Sequence, residues 1–63
     1  MFKSIRRKIY NRKINILKEW VEEINFDLEH DNLSDVEVAE ADFKLYVLLM
    51  EIESLEAKLD KLK

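Results

Sequence analysis

Residues 29 to 35 read Glu29-His30-Asp31-Asn32-Leu33-Ser34-Asp35, the one stretch where an otherwise continuous apolar periodicity lapses and turn formers cluster. Ser34 is followed three residues later by Glu37, the spacing of a capping box, in which a hydroxyl and a carboxylate each satisfy a free backbone N–H at a helix start. Leu33 and Val38 take the positions of a hydrophobic staple across the same start. Asn32 is the residue expected to adopt the left-handed conformation that usually falls to Gly after a helix. One helix is therefore expected to stop at this stretch and another to begin in it, which argues against the competing reading of a single continuous helix.

Toward the N-terminus, Tyr10, Ile14, Leu17, Val21, Ile24 and Leu28 step by 4, 3, 4, 3 and 4, an unbroken heptad seam. It predicts a helix over about residues 2 to 29. Phe2, Ile5, Ile9, Ile16 and Trp20 flank this seam and widen it. Toward the C-terminus, Val38, Ala41, Leu45, Leu48, Ile52, Leu55, Leu59 and Leu62 step by 3 and 4 without a miss. This predicts a second helix over about 35 to 62, with the turn at about 30 to 34. Asp35 and Glu37 in its first turn and Lys58, Lys61 and Lys63 in its last suit the helix dipole. A short connection makes the pair an antiparallel hairpin of rods about 40 Å long, at 1.5 Å per residue.

The second helix carries more apolar surface than a hairpin uses. Val36, Phe43, Val47 and Met50 step 7, 4 and 3 along nearly the opposite side from the seam, and Tyr46 and Leu49 bridge the two stripes. Lys44, Glu40 and Glu51 are left as a polar wall. A surplus stripe of this kind points to a partner.

Size sharpens the point. The chain has 63 residues and is expected to form one domain over residues 1–63. A chain this short buries only about 60% of its unfolded surface, so a lone core is marginal. With Cys 0 there is no disulfide and no Cys-based metal finger. Gly 0, Pro 0, 40% charged and 48% hydrophobic residues fit long amphipathic helices, and an all-α fold. The longest apolar run, Leu45 to Met50, is far short of the roughly 20 residues needed to cross a bilayer. The basic start of the chain lacks the apolar core and cleavage site of a secretory signal. These features lead to the expectation of a soluble cytoplasmic protein, and the size and the Ile-, Asn- and Lys-rich composition match many small phage and plasmid products.

Charge is segregated. Residues 1 to 18 carry Lys3, Arg6, Arg7, Lys8, Arg12, Lys13 and Lys18 with no acid, and residues 19 to 42 carry ten acids with no Lys or Arg. The remaining charges cancel, which leaves the net −3. The first helix thus opposes its own dipole, at some tenths of a kcal/mol for each misplaced charge, up to about 1. An antiparallel homodimer of hairpins offers compensation, because the acidic tip of one protomer then lies beside the basic terminus of the other. In an end-to-end flipped partner, Ile5, Ile9, Ile16 and Trp20 also fall roughly opposite Val36, Phe43, Val47 and Met50. Both patterns select a four-helix bundle made from two hairpins. This expected architecture is similar to the Rop-type RNA-binding hairpin dimer at the level of fold alone, with no shared residue motif and no function carried over.

The chemistry-bearing residues point away from catalysis. Ser4, Ser34 and Ser54 lack a plausible histidine base, and a two-helix hairpin seldom forms a concave pocket alone. Glu23, Asp27 and His30 share one helical face, but one His per chain is too little for a bundle metal centre, so His30 is read as a surface residue suited to the helix end and no metal or cofactor is expected. The leading expectation is a small regulatory or adaptor protein, not an enzyme, that binds protein as a homodimer or on a larger target. Its interface residues are Val36, Phe43, Tyr46, Val47, Met50, Ile9, Ile16 and Trp20. The alternatives are a nucleic-acid-binding regulator using Arg6, Arg7, Lys8, Arg12 and Lys13, and an inhibitor whose acidic zone imitates nucleic acid on an enzyme. The block of ten acids stands against the first alternative. The basic stretch with Phe2, Ile5 and Ile9 is also of a kind that lies on anionic membranes.

Overall fold

A computed structural model of the chain describes residues 2–62. It contains two helices, α1 over Phe2–His30 and α2 over Asp35–Lys61, packed against each other and joined by four residues. Met1 and Lys63, the latter expected in the last turn of α2, lie outside the described residues. The Cα envelope of 49 × 15 × 11 Å is that of two rods lying side by side.

The heptad seam becomes the helix–helix contact. Ile14 and Leu17 of α1 and Ile52 of α2 are the buried centre, at 5%, 7% and 5% exposure, with Val21, Leu48, Leu55 and Leu59 packed around them. Lys13 of α1 shares a groove with Lys58 near the end of α2, and Asp31 shares one with Glu37 at its start, so the helices run antiparallel. Tyr10, Ile24 and Leu28, and Ala41, Leu45 and Leu62, continue the seam toward both ends and are half-buried. Val38, in the first turn of α2, is the one seam position of that helix that is exposed.

The restart of the chain at Ser34 is a complete capping box. The Ser34 hydroxyl accepts from the Glu37 backbone N–H at 3.3 Å, and the Ser34 backbone N–H donates to Glu37 Oε1 at 3.2 Å. The hydroxyl proton is also used, donating to the same Oε1 at 3.0 Å. Ser34 is extended, at φ −73° and ψ 165°, and its carbonyl accepts the first bond of α2, from Val38 N–H at 2.9 Å.

Two details at the turn differ from expectation. α1 runs one residue further, to His30, because Asp31 N–H still bonds the Asp27 carbonyl at 2.9 Å. Asn32 is not left-handed, and no described residue has a positive φ. Leu33 N–H instead bonds the Asp31 carbonyl at 3.1 Å, closing a three-residue inverse γ-turn around Asn32 that needs only negative φ. At the other end, Leu62 stays right-handed and its N–H bonds the Leu59 carbonyl at 3.0 Å. Neither helix end requires Gly, which is how a chain without Gly makes this turn.

The cap sets a measurable term. Ser34→Ala removes one acceptor and frees one backbone donor, and is expected to cost about 1 kcal/mol, with the loss read from urea denaturation at fixed protein concentration.

Candidate protein-binding surface

A two-helix contact buries one stripe per helix and leaves the remainder of each circumference to solvent. On α2 that remainder is apolar. Val36, Phe43, Tyr46, Val47 and Met50 are all exposed, Phe43 at 68%, and Leu49 is exposed beside them. At about 100° per residue, Val36, Phe43, Val47 and Met50 lie on the edge of α2 furthest from α1. On α1, Ile9, Ile16 and Trp20 are exposed on one flank, Trp20 at 51%, with Phe2 and Ile5 continuing the row.

Packing decides how these stripes relate. Ile16, Trp20 and Lys13 of α1 line a groove whose other wall is Glu51, Ser54 and Lys58 of α2. Nearer the turn, Asp27 and Ile24 line a second concavity with Glu37, Glu40 and Lys44. The flank of α1 that carries Trp20 therefore faces the same side as the polar wall of α2. Within one chain, the α1 stripe opens on a face of the hairpin and the α2 stripe on its outer edge, and the two do not merge.

The electrostatic inversion of α1 is present as expected. Its first turn has no acid, and its only basic residue in the last turn is His30. Arg6, Arg7, Lys8, Arg12 and Lys13 are all exposed. By their spacing they are spread around the helix instead of forming one row. They neither share a groove nor face a common direction, as a backbone-tracking surface would require. Arg12 and Lys13 do border the apolar stripe, one on each side of it.

His30 is at the surface at the end of α1. Its Nδ1–H donates to the Phe26 carbonyl at 3.0 Å and its ring stacks on Phe26, centroids 4.0 Å apart and planes 15° apart. The ring is thereby held against the last turn of α1. Among the described residues, no three His, Asp or Glu side chains are placed to hold a metal ion. The Ser34 hydroxyl is engaged in its cap. Phe26 belongs to neither seam nor stripe. Sequence periodicity gave no reason to single it out, although its spacing of four from His30 permits the stack.

Comparison with protein-family models, curated proteins and solved structures returned no match. The surface therefore has to be interpreted from its own chemistry. No helix among the described residues is long and apolar enough to cross a membrane. What the surface offers is apolar area on two sides of a thin rod, bordered by charge, with a single Trp on one of them.

That single Trp reports on the α1 stripe. If a partner covers the stripe, Trp20 emission is expected to shift to shorter wavelength and iodide quenching to fall as protein concentration is raised. Emission and quenching that do not change with concentration would show a stripe left open to water.

Proposed function

We propose that this chain is a small non-catalytic protein that acts by binding protein through its exposed apolar helix faces, with a second copy of itself as its first partner and a larger target open to the same surface. The observation that carries this reading is the cluster of Phe43, Tyr46, Val47, Leu49 and Met50, exposed on consecutive turns of α2 outside the seam. Single exposed apolar side chains are ordinary, but a contiguous group of this size marks an interaction site. A hairpin whose buried centre is Ile14, Leu17 and Ile52 also gains stability from covering it.

The role that suits such a surface is stoichiometric, as a regulatory, adaptor or inhibitory protein in the cytoplasm. Aromatic and Met side chains are the types enriched at the centres of protein interfaces. The arrangement of cations around α1 gives a nucleic-acid role less support, because phosphate contacts would have to form beside ten acids.

The experiment is a comparison of the chain with Phe43→Asp combined with Val47→Asp. Both positions are exposed, so helix content by circular dichroism should persist while self-association by light scattering and capture of partners are lost. Unchanged mass and unchanged capture in the double variant would reduce the stripe to ordinary surface. Retention on duplex or single-stranded nucleic acid at low salt, lost on changing Arg6, Arg7, Lys8, Arg12 and Lys13 to Ala, would replace the proposal with the alternative.

A further inference from the structure

We infer that two copies of the chain join head to tail, the outer stripe of α2 in one copy docking on the Ile16–Trp20 flank of α1 in another copy turned end over end. This rests on the protein-binding reading above and goes beyond it by naming the partner surface. Three pairings of the two stripes are open to a second copy: α1 with α1, α2 with α2, and α1 with α2. The geometry within one chain leaves all three possible, because the stripes open in different directions.

Charge selects among them. In an antiparallel pairing of α1 with α1 that lays the row from Ile5 to Trp20 over itself, Arg12 of each copy meets Lys13 of the other and Arg7 meets Lys18. In an antiparallel pairing of α2 with α2 about its outer stripe, Asp35 and Glu37 meet Glu51 and Glu53. Like charges brought level in this way oppose association. The mixed pairing sets the basic start of α1 beside the acidic start of α2, and like charges come level only in its middle, where Glu19, Glu22 and Glu23 pass Glu51, Glu53 and Glu56, and at Glu29 with Asp60.

Its register follows from helix geometry. When a second hairpin is turned end over end, each α1 residue falls level with the α2 residue about 31 positions ahead in sequence number. Ile5 is then level with Val36 and Ile16 with Val47, while Trp20 is beside Met50. The cations from Lys3 to Lys13 run alongside Asp35, Glu37, Glu40 and Asp42, and at the far end Asp27, Glu29 and Asp31 run alongside Lys58 and Lys61. By helical spacing, Glu40 and Asp42 border the α2 stripe on its two sides, as Arg12 and Lys13 border the α1 stripe. An apolar centre with opposite charges on both rims is the anatomy of a specific interface.

Because the two halves of this contact differ, it is heterologous. Each copy keeps one stripe of each kind, so the end-over-end turn gives a two-fold dimer where both contacts close between the same two copies and an open chain of copies where they do not. A pair in which each member has lost a different stripe must stop at two.

The test is a mixing experiment on Ile16→Asp with Trp20→Asp, which lacks the α1 half, and Phe43→Asp with Val47→Asp, which lacks the α2 half. Each variant alone is expected to run as a 7.6 kDa monomer by light scattering, and their mixture as a one-to-one dimer. If loss of association also unfolds the separate variants, mixing is expected to restore helix content together with mass. A second pair leaves both stripes intact: Arg12→Glu with Lys13→Glu, and Glu40→Lys with Asp42→Lys. Each should associate at least about tenfold more weakly than wild type at low salt, and mixing should recover the affinity.

Self-association of either stripe variant on its own, or a mixture that stays monomeric, overturns the head-to-tail contact. A wild-type chain that is monomeric, yet captures a different protein through Phe43 and Val47, also overturns it while leaving the protein-binding reading standing. A monomer that captures nothing ends both.

Discussion

The contact of Ile14 and Leu17 with Ile52 is the interaction on which the remainder of this structure depends. Among the described residues it is the only place where apolar side chains are removed almost wholly from water, and it exists because two heptad seams are written in phase on either side of one turn. A pair of helices has no third element to close over that seam, so most seam residues remain half-buried. A short chain that stabilises its fold this way must keep its helices long, cap them well and find further cover. The long rods, the complete Ser34–Glu37 box and the exposed second stripe are three consequences of that one limitation.

Electrostatics follows from the same economy. With no Gly, no Pro and no Cys, the chain has no local device for fixing geometry beyond helix caps and charge placement. Its charges are placed badly for an isolated hairpin, since cations crowd the positive end of the α1 dipole and acids from both helices gather at the turn. The same placement becomes favourable when the acidic tip of one copy lies beside the basic terminus of another. The assembly proposed above would repair the rule that α1 breaks along its whole length.

The seams, the helix boundaries to within one residue and the capping box were legible in the sequence because each is a local pattern with a fixed spacing. The conformation at Asn32 was not. A left-handed residue and an inverse γ-turn both end a helix within the same few residues, and the choice rests on which carbonyl the Leu33 N–H reaches. The Phe26–His30 stack was also missed, because it lies outside both apolar rows. Periodicity placed each surplus stripe relative to its own seam, but only the packing of the two helices shows which flanks are neighbours. That is why Trp20 and Ile16 turned out to border Glu51, Ser54 and Lys58 and not Phe43, Val47 and Met50.

The central claim is that folding of this hairpin and covering of its spare apolar surface are one process. The most direct measurement is the thermal midpoint of helix content followed across a hundredfold range of protein concentration. Coupled folding and association make the midpoint rise steadily with concentration, by mass action. A midpoint that stays constant over that range, with a monomeric mass at its upper end, would mean that the seam alone sustains the fold, and would contradict the account.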